Sequence, residues 1–246
     1  MRVVIQENYE NMSKWAANYI AEKIKNHKED RPFVLGLPTG SSPIGVYKEL
    51  IKKNQAGEIT FKNVVTFNMD EYVGLPHEHD QSYWYFMHDN FFDHIDIPAE
   101  NIHILNGMAE DPVAECAHYE EMIASFGGID LFMGGIGVDG HLAFNEPFTS
   151  LTSRTGLRDL TTDTRIVNSR FFGNDPEKVP AQALSVGIGT VTDSKEVLVL
   201  INGHNKARAL AAVVEGNVSQ KWTCSALQMH NAAIGGYTRA LDSPVT

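Results

Sequence analysis

The sequence is poor in groups that would mark several protein classes. It has two cysteines, Cys116 and Cys224, far apart and outside any ligand spacing. They make neither a metal set nor a disulfide framework, and they read as two buried free thiols in a reducing compartment. Basic residues are scarce: 20 Lys and Arg stand against 31 Asp and Glu, a net charge of −11. That balance argues against nucleic acid or an anionic membrane as the main partner. Long apolar runs are missing, so no membrane-spanning helix is predicted. The opening Met1-Arg2-Val3-Val4-Ile5 enters a predicted strand directly, with no signal or transit pattern. No repeat, low-complexity run or linker breaks the 246 residues. The expectation is one cytoplasmic domain, 1–246, large enough to bury a substantial core.

What is present alternates in type. Met12, Trp15, Ala16, Tyr19, Ile20 and Ile24 recur at helical spacing, which predicts a helix over 9–28 with those residues inward. Apolar runs at 33–37, 64–67, 129–133, 183–188, 197–201 and 232–237, with a short one at 102–105, predict strands. Helices are predicted at 44–54, 82–92, 112–125 (inner face Ala114, Cys116, Tyr119 and Met122), 207–214 and 222–229. Strand and helix in alternation imply parallel pairing with right-handed crossovers. The fold class is α/β: a Rossmann-like, parallel twisted sheet with helices on both faces. Residues 149–180 lack clear periodicity and form an inserted lid segment, which the pair Phe171-Phe172 suggests is docked. A frayed tail is expected at 242–246.

The chemistry gathers where strands end. Gly134-Gly135-Ile136-Gly137-Val138-Asp139-Gly140-His141-Leu142-Ala143-Phe144-Asn145-Glu146-Pro147 follows a strand and brings Asp139, His141 and Glu146 together within eight residues. An imidazole flanked by two carboxylates is an acid–base device. The run Gly135 to Gly140 also matches a dinucleotide fingerprint, with Asp159 downstream as the ribose ligand. Pro147 forbids the long helix that motif needs, and Asp159 does not end a second strand of the unit. Thr39-Gly40-Ser41-Ser42-Pro43, between a strand and a helix, has the layout of an anion site or of a simple capped turn. No Walker lysine accompanies it. Asp70 and Glu71 close another strand and could be a base, a cap or a salt-bridge partner. Lys206 opens a helix, where a lone cation is unfavourable and a bound anion would explain it. Arg170 is its candidate partner, and a surface lysine is the alternative. His77 and His79 lack a third ligand and read as loop histidines.

A phosphate cradle with a carboxylate base and a histidine between carboxylates suits aldose–ketose chemistry on a phosphorylated sugar. Four motifs then carry a resemblance that runs nearly end to end: Leu37 to Pro43, Phe67 to Tyr72, Gly137 to Pro147, and Asn168-Ser169-Arg170-Phe171-Phe172. They resemble the glucosamine-6-phosphate deaminase family, which turns glucosamine 6-phosphate and water into fructose 6-phosphate and ammonia in amino-sugar catabolism, without metal or cofactor. The resemblance implies that His141 opens the pyranose ring, with Asp139 and Glu146 orienting it. It implies that Asp70 moves the C2 proton to C1 through an enolamine. It assigns substrate and phosphate binding to Thr39, Gly40, Ser41, Ser42, Gly135, Arg170 and Lys206. Some members are hexamers activated by N-acetylglucosamine 6-phosphate. Here Gly156 replaces one expected basic residue, Arg158 fits another, and the chain stops soon after Tyr237. Strong activation is therefore not expected, and the oligomeric state, a possible homo-oligomer, stays open. Two related readings compete: a 6-phosphogluconolactonase, and a sugar-phosphate-sensing regulator domain, which should carry a DNA-binding helix pair and a basic face.

Overall fold

Phe33 to Leu37 holds no polar side chain, and Val64 to Asn68 only Thr66 and Asn68, as suits strands covered on both faces. The structure, a computed structural model, describes residues 1–238 and buries both runs completely. The strands are β1 (Arg2–Gln6), β2 (Phe33–Leu37), β3 (Val64–Asn68), β4 (Asp70–Tyr72), β5 (Ile102–His103), β6 (Leu131–Gly135), β7 (Gly156–Asp159), β8 (Gln182–Ser185), β9 (Glu196–Ile201) and β10 (Ala233–Thr238). The helices are α1 (Tyr9–Asn26), α2 (Ile44–Gln55), α3 (Tyr83–Asn90), α4 (Pro112–Ser125), α5 (Thr162–Asn168), α6 (Ile188–Thr192) and α7 (Ala207–Val214). Polar side chains start several of them: Asn8 caps α1, Ser82 caps α3, and Asp111 caps α4 ahead of Pro112.

Seven strands form one parallel sheet in the order β1-β10-β9-β6-β2-β3-β5. The chain builds outward from β2 to β5, then returns to β6 and builds the other way. The order therefore reverses between β2 and β6, and a crevice opens at their carboxyl ends. Along β9, Val197, Val199 and Ile201 join one core while Leu198 and Leu200 join the other. The first core is closed by α4 and α7, the second by α1, α2 and α3. No helix among the described residues is long and apolar enough to cross a membrane.

The structure adds a feature that the apolar runs alone did not imply. Asp70 does not lie in the loop after β3 but starts β4, in a second, antiparallel sheet of order β4-β8-β7. The run predicted as a strand over 183–188 belongs to that small sheet, and β7 comes from within the segment expected to be irregular. The 149–180 segment is therefore regular over about half its length, with β7 and α5 inside it. Leu160, Phe172 and Val179 fix it to Tyr72 and Phe144 in a third apolar cluster, whereas Phe171 is exposed. On α4 the inner face is Cys116, Tyr119 and Ile123, with Ala114 outside, because spacings of three and seven outrank residue type. The 82–92 stretch is not a buried helix: within α3 only Met87 is fully covered. Residues 242–246 lie outside the described residues.

Gly187, between β8 and α6, sits where any Cβ would meet the Ser153 carbonyl oxygen at 2.0 Å. The neighbouring Val186 carbonyl accepts from the Asn145 amide at 2.8 Å, so a shift there reaches the loop after β6. Gly187→Ala should cost roughly 1–3 kcal/mol or more, read as a lower urea midpoint with unchanged slope.

Candidate active site

Four strand ends supply the site, because each βα connection leaves the sheet on the same side. Loops after β2, β6 and β9 and strand β4 after β3 line one cavity of about 1080 Å³, room for a hexose phosphate. Thr39, Gly40, Ser41 and Ser42, then Asp70, Gly135, Asp139, His141, Glu146, Arg170 and Lys206 all line it. The structure thus brings the residues expected to act in catalysis or substrate binding to one place. Glu71, His77, His79 and Arg158 stand outside the cavity lining, as does the decoy ligand Asp159, which ends an antiparallel strand and accepts from Gln182 at 2.8 Å.

The loop after β6 is held from both sides. Thr223 accepts from Leu142 N at 3.2 Å and donates to Asn145 O at 2.9 Å. Ser185 on β8 accepts from Phe144 N at 2.9 Å. The clamp fixes Ala143 at φ 54°, a left-handed conformation that a non-glycine residue holds only under such constraint. His141 Nδ1 then stands 2.8 Å from Asp139 Oδ1 and 3.7 Å from Glu146 Oε2. Both carboxylates thus lie against the same ring nitrogen, Asp139 at hydrogen-bond distance. Gly137 has to lack a side chain, since a Cβ would lie 2.4 Å from His141 Nδ1 and 2.5 Å from Asp139 Oδ1. Burial works against the Asp139 charge, but the imidazole beside it wins and holds that carboxyl far below its ordinary range. The donor atoms of Asp139, His141 and Glu146 lie within 4.8 Å of one another, which would also suit a metal ion.

Asp70 is in the opposite state. It is 7% exposed, and burial, reinforced by the neighbouring Glu71, pushes its carboxyl up to about 8. Glu71 is fully buried and points away from the cavity, accepting from the backbone N–H groups of Tyr72, Tyr83 and Trp84 at 2.8–2.9 Å. Burial pushes it up to about 7 against the pull of those donors. Of the alternatives for this pair, Glu71 is the helix cap, at the start of α3, and Asp70 is the group free for chemistry.

The end of the cavity lined by Thr39 to Ser42, Arg170 and Lys206 is cationic and rich in hydroxyls. Helix α2 has no side-chain cap, so the hydroxyls of Ser41 and Ser42 are not spent on its first turn. Tyr9 fastens the loop instead: its hydroxyl lies 3.0 Å from the Ser41 and Ser42 carbonyls and accepts from Gly45 N at 2.8 Å. Burial draws the Lys206 ammonium below its usual range and Arg170 adds to this, while Asp139 opposes. Two cations held together against desolvation are a receptor for an anion.

Sequence reasoning missed Tyr9, which bore only the mark of a helical apolar position. It also missed Thr161 and Thr164, whose hydroxyls contact Glu146. The pattern Thr-x-x-Thr was legible as a helix start, but its aim was not.

Because the folded state binds the Asp70 proton up to about pH 8 while an ordinary aspartate loses it near pH 4, Asp70 favours folding least at high pH. Its contribution is full in acid and lost as pH rises through that window. Asp70→Asn should therefore raise the melting temperature at pH 8.5 by several degrees, at roughly 2–4 °C per kcal/mol, and by less at pH 4.5. Calorimetry at the two pH values reads this.

A sequence profile described as glucosamine-6-phosphate isomerases/6-phosphogluconolactonase matches residues 7–234. A glucosamine-6-phosphate deaminase of Phocaeicola vulgatus is 64% identical over 236 residues, 95% of this chain and 90% of that one. A solved structure described as a monomeric glucosamine-6-phosphate deaminase shares 40% identity, with TM-score 0.95 over 98% of this chain and 99% of its own. A 6-phosphogluconolactonase of Thermotoga maritima, 18% identical, has TM-score 0.74 over 97% and 99% of the two chains and shares the fold. The chain belongs to the glucosamine-6-phosphate isomerase/6-phosphogluconolactonase family.

Proposed function

We propose that this chain is a glucosamine-6-phosphate deaminase, converting glucosamine 6-phosphate and water to fructose 6-phosphate and ammonia. The observation that carries the reading is Asp70, a buried carboxyl of raised proton affinity in the same cavity as His141. Lactone hydrolysis has no use for a second base of that kind. An aldose–ketose conversion has, because a C2 proton must be taken and a proton returned at C1.

The steps divide between the two groups. Thr39 to Ser42 with Arg170 and Lys206 hold the phosphate. Nδ1 of His141 faces the carboxylates, which leaves Nε2 to carry a proton from the O1 hydroxyl to the ring oxygen. Asp139 and Glu146 stabilise the transient imidazolium. In the opened aldehyde, Asp70 takes the C2 proton; the electrons of that bond form the C1=C2 bond of an enolamine as the aldehyde oxygen takes a proton. Asp70 returns its proton to C1, and the amino group gives one up to leave an imine at C2. Water adds to that carbon and ammonia departs. Every step is a proton transfer or an addition of water, so the reading calls for no cofactor.

Regulation by N-acetylglucosamine 6-phosphate is absent from the reading. Gly156 brings no charge, and the Arg158 guanidinium donates to Asn145 Oδ1 at 3.2 Å and to the Arg154 carbonyl at 2.8 Å.

The test is ammonia release from glucosamine 6-phosphate with a chelator present. The expected curve is hyperbolic and indifferent to N-acetylglucosamine 6-phosphate, with kcat/KM rising as pH passes through about 8. Lys206→Ala should raise KM about ten- to a hundredfold. Hydrolysis of 6-phosphogluconolactone without any ammonia would defeat the reading.

A further inference from the structure

Glu146 is gripped from the side opposite the imidazole. Its Oε1 accepts from Thr164 Oγ1 at 2.5 Å and from Thr161 Oγ1 at 3.1 Å. Its Oε2 lies 3.7 Å from His141 Nδ1 and has no hydrogen-bond partner. Thr161 caps α5, accepting from Thr164 N at 3.2 Å, and Thr164 is 8% exposed, so both hydroxyls are fixed before substrate arrives.

We propose that Thr161 and Thr164 are positioning residues: they hold the Glu146 carboxylate turned toward His141, and so tie the inserted segment to ring opening. A glutamate side chain has enough rotamer freedom to leave a charge partner that has no directed bond to hold it. Two donors on one oxygen remove that freedom and leave the other oxygen for the ring. The same segment carries Arg170 on the phosphate side, and Asn168 donates to the Tyr72 hydroxyl at 3.0 Å, two residues beyond Asp70. Phosphate capture, the base strand and the imidazole's carboxylate thus share one support. For its kinetic consequence the inference rests on the deaminase reading.

Thr164→Val keeps the shape and removes the donor, and Thr164→Ser restores it. In ammonia release, Thr164→Val should lower kcat about ten- to a hundredfold with KM within about twofold, and Thr164→Ser should recover most of the rate. Thr161→Val is the second variant if Thr164→Val does not fold. A crystal structure of the valine variant should show the Glu146 carboxylate turned away from His141. Unchanged kcat, or an equal loss in the valine and serine variants, would overturn the proposal, as would Glu146 found in place. If the unsubstituted chain releases no ammonia, the deaminase reading fails, and the position of Glu146 in the variant alone decides this one.

Discussion

A carboxyl kept out of water is costly, and the surroundings of Asp70 are arranged around that cost. Asp70 is buried in β4, and its neighbour Glu71 takes the backbone donors of Tyr72, Tyr83 and Trp84. Had those N–H groups pointed at Asp70, its proton affinity would have fallen and its use as a base near neutral pH with it. The alternation of a strand puts the two carboxyls on opposite faces: one accepts from the first turn of α3, the other lines the cavity. The small antiparallel sheet exists at this point because β4 must be paired on its exposed side, and β8 does so with Ser185 opposite Asp70.

The imidazole half of the site follows a different logic. Asp139, His141 and Glu146 are close in sequence, but a loop of eight residues does not by itself converge three side chains. Thr223, Asn145 and Ser185 tie it to the helical turn Thr223–Met229 and to the end of β8. The glycine at 137 leaves the space that the ring and carboxylate fill. One carboxyl is thus held far below its ordinary range while another in the same cavity is raised to about 8. Environments that push like groups apart assign them separate tasks.

Much of this was legible in the residues. The strands at 33–37 and 197–201 announced themselves as unbroken apolar runs, and Thr39 to Ser42 as a loop between strand and helix. Asp139, His141 and Glu146 stood out because three titratable groups followed one glycine-rich turn. The small sheet was not legible: β4 is three residues long and includes two carboxylates, so no periodicity marks it. β7 reads as polar because only one of its faces is covered. The partners of Tyr9 and Thr164 depend on contacts 32 and 18 residues away, which local pattern does not carry. The aromatic stretch at 82–92 misled because its rings divide: Phe91 and Phe92 join Met87 in the second core, whereas Tyr83 and Phe86 line the cavity.

The central claim is that ring opening and C2 proton transfer belong to different residues. The most direct measurement follows, by NMR in heavy water, both anomer interconversion and C2 proton exchange of glucosamine 6-phosphate with Asp70→Asn and His141→Asn proteins. The account predicts that Asp70→Asn still speeds anomer interconversion but exchanges no C2 proton, while His141→Asn loses the catalysed interconversion. Equal loss of both processes in Asp70→Asn, or C2 exchange persisting in it, would contradict the division of labour.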